Sequence, residues 1–137
     1  MGGVRRWLKG MGRAVLLLPV LLIGLFVLYE LFGFCANHAA TRRQTDQLQA
    51  NLEREIPDLE ILEVYSETGN TSGTGNHVDC LSSITFSTGL TEAEIKSRLS
   101  AYYEYGEWTC FVEQTGERTF RFYLNTSAPF PDNLEGH

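Results

Sequence analysis

The sequence predicts an α+β domain held at a membrane by one N-terminal helix. Three observations carry this. An unbroken apolar run fills Ala14 to Phe34. Behind it, residue periodicity switches between about 3.6 and 2 in the order helix, strand, strand, helix, strand, strand. The charge is split, with Arg5, Arg6, Lys9 and Arg13 before the run and a balance of −9 from Ala36 onward. The expected organisation is a basic tail (1–13), a transmembrane signal-anchor helix (14–35), a juxtamembrane helix (36–57), the α+β domain (58–126) and a flexible tail (127–137).

The apolar run has 21 residues and one charge, Glu30. At 1.5 Å per residue this matches a hydrocarbon core of about 30 Å. Pro19 and Gly24 are tolerated in such helices. Glu30 lies near the far end, where a carboxylate reaches the head groups, or alternatively pairs with a partner helix. The basic excess before the run predicts a single-pass protein with its N-terminus in the cytoplasm and the domain outside. A cleaved signal peptide fits less well, because the core is long and Phe34 and His38 occupy the −3 positions of the candidate sites. Phe34 also argues against acylation of Cys35, and Arg6 against myristoylation of Gly2. The pilin arrangement also joins such a helix to a sheet domain, but its processing site with a glutamate five residues on is absent after Gly10 and Gly12.

After the membrane run, Thr45, Leu48, Leu52 and Ile56 make a narrow stripe on a helix that continues outward or restarts, ending at Pro57. Leu59–Ser66 reads as the first strand. The Gly-, Ser- and Thr-rich stretch after it reads as a mobile loop. His77–Ser87 reads as the second strand, with Val78, Cys80, Ser82, Ile84 and Phe86 on one face. Thr91 and Glu94 form a capping box for a helix burying Ile95, Leu99 and a tyrosine, stopped by Gly106. Glu107–Gln114 is the third strand, with Trp108, Cys110 and Val112 facing inward. Thr119–Asn125 is the fourth, with Phe120, Phe122 and Leu124 inward. Two hairpins with helices on one side give a mainly antiparallel four-stranded sheet.

Cys80 and Cys110 both fall on the inward face. In an oxidising compartment they are expected to pair, closing a loop of about 30 residues worth roughly 3–4 kcal/mol. Their spacing does not suit a metal, and no cofactor motif is present. His77 and Asp79 share a strand face pointing away from Cys80, so no nucleophilic pair forms there and both read as exposed strand-end residues. No catalytic constellation assembles, and the chain is not expected to be an enzyme. The acidic domain excludes nucleic acid as a partner. Asn70-Thr71-Ser72 and Asn125-Thr126-Ser127 match the glycosylation triplet, which matters only in a eukaryotic secretory chain.

Phe111, Arg121 and Tyr123 fall on the sheet face opposite the core. Either a second layer covers them or they meet a protein partner, with His77 and Asp79 nearby. The leading functional expectation is a membrane-anchored binding module, with an accessory subunit of an envelope complex as one form of it. The alternative is a structural membrane subunit acting through its helix and Glu30.

Overall fold

A computed structural model describes the backbone of residues 2–73 and 75–137, and the side chains of Val15 and of residues 17–73 and 75–137. The side chains of Arg5, Arg6, Lys9 and Arg13, on which the orientation expectation rests, lie outside the described residues. The architecture matches the expected α+β layout. It comprises α1 (Gly2–Glu55), β1 (Glu60–Gly69), β2 (Asp79–Ser87), α2 (Glu92–Leu99), β3 (Cys110–Gln114), β4 (Thr119–Ser127) and a terminal 3₁₀ turn (Leu134–Gly136).

The anchor and juxtamembrane helices are one continuous helix. It passes through Pro19. A stretch of it near the N-terminus is long and apolar enough to cross a membrane. The large apolar side chains described between Val15 and Phe34 are all exposed. Beyond Cys35 one stripe is buried: Asn37, Thr41, Thr45, Leu48, Leu52 and Ile56.

That stripe packs on the sheet, whose strand order is β1-β2-β4-β3, antiparallel throughout. The core joins Leu48, Leu52 and Ile56 to Ile84 and Phe86 of β2, Phe120, Phe122 and Leu124 of β4, Cys110 and Val112 of β3, and Ile95 and Leu99 of α2. Near the lipid-facing end the contact turns polar. Thr41 Oγ1 meets Thr68 Oγ1 at 2.6 Å and Thr45 Oγ1 meets Ser82 Oγ at 2.7 Å. Gln44 Nε2 donates to the carbonyl of Cys80 at 2.8 Å. Among the described residues no buried side-chain N or O lacks a partner.

The strand order overturns the expected disulfide. Cys80 pairs with Thr126 and Cys110 with Leu124, so β4 lies between them. Two strand spacings are about 9.5 Å, beyond the roughly 7 Å that a bridge tolerates. Cys80, Cys110 and Cys35 are free thiols. Burial pushes the Cys110 thiol up to about 11.

Three local readings are also corrected. Gly106 does not stop a helix. It makes a β-bridge to Cys110, with its N–H donating to the Cys110 carbonyl at 2.8 Å. The closure turns 107–109 into a loop tip and leaves Trp108 81% exposed rather than inward. β3 accordingly starts at Cys110, and α2 ends at Leu99. Third, the tail is docked rather than loose. Ala128, Asn133 and Gly136 are buried, and the N–H of Val78 donates to the Pro131 carbonyl at 2.8 Å.

The capping box of α2 forms as expected. Just before it, Asp58 ties the end of α1 to the β2–α2 connection. Its carboxylate accepts from Thr88 Oγ1 and from the N–H of Gly89, each at 2.6 Å. These bonds, led by that to Thr88, hold the Asp58 carboxyl below its ordinary value. A lowered carboxyl contributes stability above its ordinary range and loses it as pH falls through the folded value. The melting difference between the parent and Asp58→Asn, read by circular dichroism, is therefore expected in full at neutral pH and should shrink progressively as pH falls below about 4. A difference that persists undiminished into acid would remove this role. The thiols give a second check. One cysteine, Cys35, should react quickly with maleimide in the folded chain, and three after denaturation without reductant. A count of one under both conditions would restore the disulfide.

Candidate functional site

Both helices lie on one side of the sheet, so the other side is the candidate site. Pairing sets its rows. Tyr65, Ser83, Tyr123 and Phe111 cross all four strands in register. Phe111 and Tyr123 stack, with ring centroids 4.6 Å apart and planes 15° apart. The neighbouring row, on the side away from α1's apolar run, is Glu63, Thr85, Arg121 and Glu113. Arg121 is ion-paired with Glu113. Of the two alternatives for Phe111, Arg121 and Tyr123, the second layer is not supplied by α1, which buries its stripe against the opposite face.

At the other end of this face the 70–76 loop folds back over the strands. Gly73 and Gly75 take left-handed backbone angles, φ +68° and +67°, which admit the tight reversal. Ser72 N–H donates to Asp79 Oδ2 at 3.0 Å, and Thr71 Oγ1 donates to Asn125 Oδ1 at 3.0 Å. Asp79 is consequently buried at 5% exposure, not a solvent-facing strand end. His77 Nε2 lies 3.4 Å from Asp79 Oδ1. Loop, strands and the 106–110 turn enclose a cleft of about 690 Å³, lined by Thr71, His77, Asp79, Trp108, Tyr123 and Asn125 among others.

Among the described residues no cysteine lines the cleft. Cys80 points to the other face, and burial raises its thiol. Among the described residues no group of three His, Cys, Asp or Glu side chains is placed to hold a metal. Tyr123 is pushed up, first by burial and then by the negative charge of Asp79.

The remaining site residue, Glu30, is engaged within the chain. Its carboxylate accepts from Asn133 Nδ2 at 2.7 Å and from the N–H of Leu134 at 3.0 Å. One turn on, Phe130 packs edge-on against Tyr29 and Phe32, over Gly33. Asn37 binds both the N–H and the carbonyl of Phe130, each at 2.9 Å. His38 Nε2 lies 3.0 Å from Glu135. The sequence offered no periodic signal for this clamp. Its one hint is a buried glycine, an asparagine and a glutamate on one helix face at i, i+3 and i+7: Glu30, Gly33 and Asn37.

Comparison with protein-family models, with curated proteins and with solved structures finds no match. The geometry alone carries the functional reading.

A Cβ on Gly33 would stand 2.8 Å from Asn133 Nδ2 and 3.3 Å from Phe130 Cβ. Gly33→Val is therefore expected to expel the tail without harming α1. Amide exchange across 130–137, read by mass spectrometry, should accelerate about tenfold or more while the sheet amides stay protected. Unchanged exchange in that segment would show that the clamp contributes nothing.

Proposed function

We propose that this chain is a single-pass, membrane-anchored binding module. On this reading its N-terminus is cytoplasmic and its domain stands outside. The partner is a protein, and the chain serves as an accessory subunit of an envelope assembly. One observation supports this above the rest: the row Tyr65, Tyr123, Phe111 with Arg121 beside it lies on a sheet face that neither helix covers. Aromatic and arginine side chains dominate the energetics of protein interfaces, since they bury large area with few lost rotamers. Tyr65 is 48% exposed and available for such a contact. The acidic edge strand, with Glu60, Glu63 and Glu67, disfavours pairing with other strands and leaves side-chain recognition as the mode.

The rival reading, a structural subunit acting through Glu30, draws less support. Its carboxylate already has two donors from the chain's own tail.

A photo-reactive phenylalanine analogue placed at Tyr65 or Phe111 in native membranes should give a discrete adduct. The same probe at Asp46, on the exposed side of α1, should give none. Arg121→Glu should diminish the adduct several-fold. Adducts arising instead from a probe at Leu22, within the apolar run, would transfer the function to the membrane helix. Orientation is read separately. Glu117→Cys in a Cys35→Ser background should react with an impermeant maleimide added to intact cells, and protection there would invert the topology.

A further inference from the structure

The cleft under the 70–76 loop adjoins the aromatic row and shares Tyr123 with it, but its polar lining is its own. It contains one carboxylate, Asp79, which no lysine or arginine among the described residues pairs. Trp108 stands at the rim almost fully exposed, and Tyr123 forms part of the wall. Asn125 uses its Oδ1 for Thr71, and its amide nitrogen makes no bond to any described residue. Asp79 keeps its bonds to Ser72 and His77, and with Trp108 and Tyr123 it lines one cleft; a carboxylate and aromatic rings together suit an organic cation, since the ring quadrupole and the charge act in the same direction. The domain's balance of −9 adds a field of the same sign. A metal ion is a poorer fit, because one carboxylate and one imidazole leave its shell mostly unfilled.

The height of the cleft narrows the choice of cation. Cys80, next to Asp79, lies against α1 at Asn37, with Sγ 3.9 Å from the Asn37 carbonyl. Asn37 is three residues past Phe34, the end of the apolar run, or about 4.5 Å along the helix. Head groups occupy roughly 5–8 Å on each side of the hydrocarbon. At the far end of the loop, His77 touches Gly136 of the tail that binds Glu30. Asp79 thus lies within the layer where zwitterionic lipids carry their ammonium groups, whichever side of the membrane the domain occupies.

We propose that the cleft lined by Asp79, Trp108 and Tyr123 binds the ammonium head group of a zwitterionic phospholipid. Asp79 supplies the counter-charge, Trp108 closes over the cation from the rim, and the Asn125 amide is left to donate to a lipid phosphate oxygen. This goes beyond the partner-binding reading, whose row it meets at Tyr123.

The full chain in an uncharged maltoside detergent tests it. The chain has two tryptophans, so Trp7→Phe makes Trp108 the reporter. Its emission should change saturably with a short-chain phosphatidylcholine below its micelle concentration, and more weakly with choline chloride. The neutral isostere 3,3-dimethylbutanol should produce no change. Asp79→Asn should weaken lipid binding about tenfold. Trp108→Ala, followed by calorimetry and safe for folding because the side chain is exposed, should weaken it about fivefold. Equal binding of the neutral isostere, or parent affinity in Asp79→Asn with an unchanged melting temperature, overturns the cation site. Choline binding as tightly as the lipid overturns the head-group assignment, as does saturation only by a lysine peptide. Failure here with the Tyr65 adduct intact leaves the partner reading standing, and the reverse outcome separates the two equally well.

Discussion

Everything in this molecule depends on one helix meeting two solvents without a break. Over 54 residues α1 rises about 80 Å. In its first part, across the described stretch of the apolar run, the side chains are apolar on all sides, a surface that suits lipid. In its second part a single stripe is buried and the remainder is polar. Because the backbone hydrogen bonds run through the boundary near Cys35, no hinge separates anchor from domain. The helix therefore carries the sheet at a fixed distance from the apolar run, and the roughly five turns from Asn37 to Glu55 set the extent of their contact.

The stripe itself is graded. Asn37, Thr41, Gln44 and Thr45 meet the sheet near the lipid, while Leu48, Leu52 and Ile56 meet it farther out. Apolar burial of about 25 cal/mol per Å² makes the outer part the main source of stability. The inner part contributes less net energy, because each hydrogen bond replaces one to water. Its value lies in register. Thr41 and Thr45 each bond back to the carbonyl four residues earlier and also bond across to Thr68 or Ser82. A slip of one residue would keep the bonds within the helix but lose those to Thr68 and Ser82, at roughly 0.5–1.5 kcal/mol each. An apolar inner seam would also have extended the lipid-compatible surface with no marked end.

Much of this fold was legible because its signals are local and periodic. The Leu48, Leu52, Ile56 stripe, the alternation of Phe120, Phe122 and Leu124, and the Thr91–Glu94 box each report a short-range energy that tertiary context reinforces. What stayed hidden is non-local. Cys80 and Cys110 share a face, but a shared face does not give adjacency, and the crossover through α2 places β4 between them. Trp108 obeys strand alternation in the sequence. The Gly106–Cys110 bridge breaks the count and turns the side chain outward. Asp79 looks exposed at a strand end until the loop beyond Gly69 folds back and covers it. Asn133 and Glu135 carry no periodic mark, so a tail with two prolines read as loose. The rows of the outer face follow from alternation, yet its exposure depends on which side the helices take, and alternation is silent on that.

The tail resolves the standing of Glu30. A carboxylate within an apolar helix is expensive unless something satisfies it, and a partner helix is the usual source. Here the chain supplies its own donors. Asn133 and the Leu134 N–H arrive from the last turn, and Phe130 seats itself over Gly33 between Tyr29 and Phe32. The same ten residues bind β2 through Val78 and the 70–76 loop through Gly136. Glu30 therefore acts as an anchor for the C-terminus. With that carboxylate engaged, the described membrane-facing side chains of α1 offer a partner helix chiefly apolar surface. The polar variety of the described surface lies instead on the sheet, where aromatic rings, the Arg121–Glu113 ion pair and the Asp79 carboxylate, held by Ser72 and His77, share one face.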